Sequence, residues 1–459
     1  MNHEGPQIYS AQASRGVAEP CRNSNLIPLS CGRLCSHLCF VAVVFSDAKT
    51  DNIPSAISRF LASRYWAGGM AATRPPLHSV LPPLVLGTAV FNTQYHPDPS
   101  RMPYESIVRQ ALLRHKITAF DTSPYYGPSE ILLGDALETI NEPRPSYLLI
   151  TKAGRIDANT FDYSPAAIRA SVRRSLARLH TPYLDLVYTH DAEFVSPQEV
   201  LAAVCELRRL RDEEGLLQYV GISGYPVEVL ASLAEMILQE TGEPLDAVQS
   251  YCHFSVQNTR LGNPKLLQRF EDAGVECLLN ASMLSMGLLT SRGVDAGPMS
   301  SWHPAPSELR QACHDLKPIV EAEGEHLEQV SIQWAMQNWA QTGSRFGTTA
   351  IPVHDARSYA SQPSRMGISV MGVSTVAELD ETWSTWRSIV GEPSDQVEAQ
   401  RRSKITSLVT DKLWPSLGRW KDYSWQSGLS QRASFAEAGD AQPAEINPKP
   451  KPVVEMSKI

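Results

Sequence analysis

The sequence predicts an α/β fold, a (β/α)8 TIM barrel, and three observations carry that prediction. From about Leu81 onward, short apolar runs alternate roughly eight times with longer one-sided amphipathic segments. The runs are apolar throughout rather than on alternate residues, as in a parallel sheet buried on both faces. Residues with reactive side chains stand directly after those runs, at the strand ends where a barrel gathers its chemistry. A doubly wound open sheet is the alternative reading.

Taken in order, the strand candidates are residues 84–87, 118–121, 148–151, 184–188, 219–222, 247–249, 276–279 and 369–372. The second run stops at Asp121, after which Pro124 and Gly127 force a turn. A helix over 129–139 follows, with Ser129 as its N-cap and Ile131, Leu132, Leu133, Ala136 and Leu137 as its apolar positions. Other helices are predicted over 107–113, 165–179, 197–214, 226–240, 264–273, 327–339 and 376–389. In 165–179, Ile168, Val172, Leu176 and Leu179 form one stripe, and Arg169, Arg173, Arg174 and Arg178 lie outside it.

Two stretches interrupt the alternation. A Gly/Pro/Ser-rich loop over 290–308 follows the seventh strand and leads into an extra helix over 308–322. Residues 343–367 form an insert before the eighth strand with neither helical nor strand period, either an exposed excursion or retained noncoding sequence. A C-terminal amphipathic stretch, 396–413, with Trp414, Trp420 and Trp425 beyond it, is expected to cap one barrel end. The domain reading is therefore a disordered N-terminal extension over 1–78, a barrel over 79–425 and a disordered tail over 426–459.

Within the extension, the apolar run 34–45 is too short for a bilayer of roughly 30 Å. It also lies late and lacks a basic region near the start, so a secretory signal is disfavoured against disorder or a misplaced start of the coding region. The formal charge of −8 provides no basic face for nucleic acid or an anionic membrane. Cys205, Cys252, Cys277 and Cys313 stand singly among apolar residues, which fits small buried thiols, a reducing cytoplasmic compartment and no metal site.

The polar residues at the strand ends are Asp121, Lys152 and His190, with Tyr126 on the loop after Asp121. Singly, each has an ordinary explanation: a snorkelling lysine, a packed histidine, a turn aspartate, a core tyrosine. Together they suit proton transfer at a substrate oxygen. A free phenol titrates near about 10, and a neighbouring ammonium is expected to lower it. On this reading Asp121 holds Lys152, Lys152 tunes Tyr126, Tyr126 moves the proton, and His190 orients the oxygen. With no nucleophile or metal set in view, carbonyl/alcohol interconversion follows, and the hydride has to come from a cofactor. No Gly-x-Gly-x-x-Gly follows a strand.

The ordered motifs Leu86-Gly-Thr88, Asp121-Thr-Ser-Pro-Tyr-Tyr-Gly127, Ile150-Thr-Lys-Ala-Gly154, Asp185-Leu-Val-Tyr-Thr-His190 and Val220-Gly-Ile-Ser223 resemble those of aldo-keto reductases. The resemblance runs from about Leu81 to Trp425 and implies an extended nicotinamide dinucleotide at the strand C-termini, without a Rossmann domain. It places the catalytic tetrad on Asp121, Tyr126, Lys152 and His190. Cofactor contacts fall on Gly87, Thr88 and Asp121, and the carboxamide positions on Ser223 and Gln249, with Gly224 where many members have Asn. Ser282, Leu284 and Gly287 fall in the loop that wraps the pyrophosphate, and Ala281 stands where many members stack an aromatic ring. Gly372, Ser374 and Glu378 fall where the family reads the adenosine ribose.

His190-Asp191, Glu193-Phe-Val195 and Gly221-Ile-Ser-Gly-Tyr-Pro226 are similar to fungal D-arabinose and plant L-galactose 1-dehydrogenases of that family. This implies oxidation of a sugar substrate at its anomeric carbon to the lactone, a step toward erythroascorbate or ascorbate. Residues 372–382 contain no Lys or Arg and carry Glu378, Asp380 and Glu381, which favours NAD, although NADP is possible. The alternatives are a broad NADP-dependent aldehyde reductase of the same family, a nucleotide-sensing binding module without catalysis, and a damaged gene product. Nothing in the sequence specifies an oligomeric state.

Overall fold

The computed structural model describes residues 74–351, 364–390 and 396–429. The apolar run 34–45, the centre of the insert and the tail beyond 429 lie outside the described residues. The chain divides after Pro75. The second unit is a closed barrel of eight parallel strands in sequential order: β1 Leu84–Gly87, β2 Ala119–Asp121, β3 Leu148–Ala153, β4 Leu184–His190, β5 Leu217–Gly224, β6 Ala247–Tyr251, β7 Cys277–Ala281 and β8 Ile368–Gly372. Around it run α1 Tyr104–Arg109, α2 Ser129–Ile140, α3 Pro165–Arg178, α4 Pro197–Asp212, α5 Val227–Thr241, α6 Pro264–Asp272, α7 Ser307–His314, α8 Leu316–Glu321, α9 Leu327–Thr342 and α10 Val376–Val390. Helices α11 Gln396–Leu408 and α12 Trp414–Leu417 follow.

Strand side chains alternate between the lumen and the helices. The lumen is filled by its own apolar cluster, which includes Val85, Ala119, Ile150, Leu186, Tyr188, Tyr219, Ala247, Cys277, Leu279, Ile368 and Val370. Gly221 belongs to the same parity, and a Cβ there would meet the Tyr188 ring at 2.7 Å, so glycine makes room for the buried aromatic. Above the apolar filling, the uppermost inward residue of each strand is, in order, Gly87, Asp121, Lys152, His190, Ser223, Gln249, Ala281 and Gly372. The eight form the top layer of the lumen. The period-2 geometry of the sheet therefore assembles the site.

Several boundaries differ from the sequence expectation for identifiable reasons. Strands β3, β4 and β5 continue beyond their apolar runs, because the ladder pairs Lys152 with Tyr188, His190 with Ser223 and Gly224 with Ser250 whatever the side chains. Ser129 is not an N-cap. It is the first residue of α2, and its hydroxyl donates to the Thr88 carbonyl at 2.9 Å. The extra helix expected over 308–322 is broken into α7 and α8, where Pro318 has no N–H to give to the preceding turn.

Residues 76–78, assigned above to the extension, belong to the barrel unit. Leu77 is fully buried, and the His78 backbone N–H donates to Glu276 at 2.9 Å. The two ends of the insert are ordered and pair with each other through Thr348 and Met366. The C-terminal segment covers the loop after β6: Trp414 Nε1 donates to the Val256 carbonyl at 3.0 Å, and the Gln257 amide donates to the carbonyls of Trp420 and Tyr423. Residues 426–429, expected in the tail, pack on the barrel, with Ser427 Oγ donating to Glu193 at 2.8 Å. No helix among the described residues is long and apolar enough to cross a membrane.

Candidate active site

The top layer of the lumen forms the floor of a cleft of about 1040 Å³ at the C-terminal strand ends. Lys152 Nζ donates to Asp121 Oδ1 at 2.6 Å and to the Thr122 carbonyl at 3.0 Å, and it lies 4.9 Å from the centre of the Tyr126 ring. Tyr126 is carried there by the turn after β2, closed by its own N–H on the Ser123 carbonyl and by the left-handed Gly127. The His190 ring stands edge-on to Tyr126, with centroids 5.6 Å apart. All four residues of the expected tetrad line the cleft.

Burial lowers the His190 pKa well below the ordinary histidine value, and the charges of Lys152 and Arg155 add to it, so the ring is neutral at neutral pH. Its Nδ1 lies 2.9 Å from Ser123 Oγ, which already accepts the Tyr125 N–H. That hydroxyl has one proton, free to go to Nδ1. With that proton on the Nδ1 contact, the remaining ring proton sits on Nε2, the nitrogen 3.8 Å from Asp191 Oδ2. Burial pushes the Asp121 carboxyl above the usual carboxylate range, while the Lys152 ammonium and its hydrogen bond pull the other way.

The expected lowering of the Tyr126 pKa does not hold in this structure. Burial first, then the charges of Asp121 and Asp191, push the phenol well above 10, and the cation that opposes them is Arg155. Desolvation and two carboxylates outweigh the Arg155 guanidinium, so Tyr126 is a phenol at neutral pH.

Of the other expected positions, Gly87, Ser223, Gln249, Ser282, Leu284, Gly287, Gly372, Ser374 and Glu378 line the cleft. Thr88 does not. It is fully buried, shares a 2.7 Å hydrogen bond with Ser129 and supports the loop from beneath. Gln249 Oε1 is buried without a hydrogen-bond partner, and Ser223 Oγ beside it donates to the Thr189 carbonyl. Ser282, Ser285, Met286 and Gly287 all take positive φ, so the loop after β7 is wound tightly around one side of the cleft. Glu378 accepts from the backbone N–H of Ser374 at 2.7 Å and is fixed at the far end.

Gly224 has a local reason: a Cβ there would lie 2.3 Å from Glu193 Oε2. The Glu193 carboxyl, pushed up to about 8 by burial and by Asp191, accepts from the Tyr225 N–H and from Ser427.

Residues on the cleft wall that the sequence reading did not assign to the site include Tyr125, Arg155, Asp191 and Trp425. Arg155 is ion-paired with Asp191, and its guanidinium lies 3.8 Å over the Tyr125 ring. The signal was adjacency: Asp191 follows His190 directly, and Arg155 comes three positions after Lys152. Trp425 stacks on Tyr225 with centroids 4.6 Å apart. No group of three or more His, Cys, Asp or Glu among the described residues has a metal-binding arrangement.

The Aldo/keto reductase family profile matches residues 83–396. A D-arabinose 1-dehydrogenase of Saccharomyces cerevisiae is 43% identical over 267 residues, 57% of this chain and 77% of that protein. An L-galactose dehydrogenase of Arabidopsis thaliana is 29% identical over 311 residues, 67% of this chain and 86% of that protein. Among solved structures, a glycerol dehydrogenase from Gluconobacter oxydans superposes with a TM-score of 0.48 at 20% identity, covering 74% of this chain and 97% of that one.

Proposed function

Since the chain belongs to the aldo/keto reductase family, whose members are oxidoreductases that use nicotinamide cofactors on small molecules, we propose that it oxidises an aldose of the D-arabinose or L-galactose type at the anomeric carbon, with NAD accepting the hydride. The observation that carries this reading is the top layer of the lumen. It sets a neutral His190 and the Lys152–Asp121 pair against one phenol at the base of a deep cleft.

The site fits the cofactor. A carboxamide presents two N–H donors and one acceptor, and the orphaned Gln249 Oε1 offers the buried acceptor it needs. Ser223 stands beside it, the tightly wound loop 282–287 suits a pyrophosphate, and Ser374 with Glu378 suits a ribose hydroxyl. When bound, the oxidised nicotinamide supplies the hydride acceptor.

The chain's own residues do the rest. The His190 Nε2–H donates to the anomeric oxygen and fixes its place. Tyr126 takes the hydroxyl proton as phenolate, and in the reverse reduction it returns that proton to the carbonyl oxygen. Lys152, held by Asp121 and the Thr122 carbonyl, keeps positive charge beneath the ring and favours the phenolate as it forms. The preference for NAD is supported by Glu378 and Glu381 lining the cleft end where a 2′-phosphate would need a cation. Four free cysteines among the described residues suit work in the cytoplasm.

The test is steady-state oxidation of pentoses and hexoses with NAD and with NADP, beside reduction of simple aromatic aldehydes. Aldose oxidation with NAD is expected to give the highest kcat/KM. NADP-linked aldehyde reduction dominating instead refutes the sugar reading. In Tyr126→Phe, kcat is expected to fall by about 10²–10⁴-fold with NAD affinity near normal. Wild-type turnover in that variant removes the proton-transfer role.

A further inference from the structure

Asp191 takes no part in the proton transfer above, yet its placement is closely controlled. Its backbone is left-handed (φ 56, ψ 61), a conformation that non-glycine residues adopt rarely and that clusters at functional sites. Turned this way, its carboxylate lines the cleft immediately above His190, with Oδ2 3.8 Å from His190 Nε2. Its side chain is 3% exposed and ion-paired with Arg155.

Arg155 is itself fixed. It stacks on Tyr125, donates to the Tyr125 hydroxyl at 3.0 Å and donates to the Ala158 carbonyl at 3.1 Å. The Tyr125 hydroxyl also accepts from the Gln94 amide at 3.0 Å. Among the described residues, Arg155 is the one group that donates a hydrogen bond to the Asp191 carboxylate. A carboxylate has room for about four such bonds, so acceptor capacity remains at the cleft surface.

The geometry points to Asp191 as the acceptor for the substrate hydroxyl next to the reacting carbon. The Nε2–H donor and the Asp191 acceptor stand side by side. A ligand that satisfies both must present an acceptor oxygen and, one carbon away, a hydroxyl donor. The anomeric oxygen and the 2-hydroxyl of an aldose are such a pair, and a simple aldehyde is not. This inference rests on the aldose reading and deepens it. Asp191 selects α-hydroxylated substrates, and the Arg155–Tyr125–Gln94 chain keeps its carboxylate aimed.

The experiment compares wild type and Asp191→Asn on one parent aldose and its 2-deoxy and 3-deoxy counterparts, with saturating NAD and with kcat and KM determined separately. A hydrogen bond to a charged group makes loss of the 2-hydroxyl cost wild type about 10- to 100-fold in kcat/KM. In Asp191→Asn that ratio is expected to shrink to within about threefold, while the 3-deoxy ratio stays the same in both enzymes. A 2-deoxy penalty below threefold in wild type overturns the assignment, whether or not the variant folds. Equal 2-deoxy penalties in both enzymes overturn it as well, and a variant that shifts the 2-deoxy and 3-deoxy ratios alike shows Asp191 to be structural. If wild type turns over no parent aldose, the aldose reading falls, and this assignment falls with it.

Discussion

Ser123 shows how much one hydroxyl decides. It accepts the Tyr125 N–H, and by giving its own proton to His190 Nδ1 it favours the tautomer whose Nε2 can donate to substrate. Ser123→Ala lets the ring take either tautomer and is expected to lower kcat about tenfold, with a smaller change in the KM for NAD. A kcat within twofold of wild type in a purified variant removes the tautomer argument. The same site gives a signed pH dependence. Oxidation needs the phenolate of Tyr126, whose pKa the structure raises, so kcat for oxidation should climb as pH rises from 7 toward 10. Reduction needs the phenol and should be flat or fall over that range. Tyr126→Phe should abolish the climb. An oxidation rate that falls with rising pH contradicts the assignment of Tyr126 as base.

The apolar runs made the strands legible, but the ladder extends past them wherever a functional residue interrupts the pattern. Lys152, His190 and Ser223 were read as following strands and in fact belong to them. The tetrad was nonetheless visible, because it stands at fixed offsets from hydrophobic runs. Arg155 and Asp191 stand close to tetrad residues along the chain, but their importance comes from an ion pair formed across two strand ends, and adjacency alone cannot show that. The start of the tail was placed a few residues too early, at 426, for another reason. Low hydrophobicity signals disorder only when nothing else binds the chain, and Ser427 is held by a buried carboxyl more than two hundred positions away. Between helices the same lesson concerns Gly134. Helix propensity alone says that Gly134→Ala should stabilise α2 by roughly 1 kcal/mol. Packing says the reverse, since the added Cβ would lie 2.2 Å from the Arg178 carbonyl at the end of α3. Overpacking typically costs about 1–3 kcal/mol. A net loss of about 1–2 kcal/mol is therefore expected in urea unfolding, and any gain in stability would show that α2 and α3 can separate without penalty.

Taken together, the molecule separates stability from recognition along the barrel axis. The lower lumen and the shell between strands and helices are apolar and continuous, and the reacting groups stand on top of them where they cannot drift. The walls of the cleft come from elsewhere: the loop after β1, the loop after β7 and the last described stretch of chain. That last stretch is bound by hydrogen bonds from Gln257, Asn258 and Thr259 on one side and by Tyr225 and Glu193 on the other. It contributes Trp425 to the wall but nothing to the barrel interior. Ending the chain at Tyr423 rather than at Leu429 removes this wall together with the Ser424 contacts to His253 and Asn258, so comparing the two truncated proteins isolates residues 424–429. The shorter protein is expected to lose about tenfold or more in kcat/KM for the sugar, because an aromatic wall and the closure over Glu193 are gone. Its affinity for NAD should stay within about threefold, since the expected cofactor residues lie on other loops. Its thermal midpoint should fall by several degrees, because Trp425 is also one member of the apolar shell and stacks on buried Tyr225. Equal sugar kinetics in the two proteins would mean that the C-terminal stretch serves the fold and not the substrate.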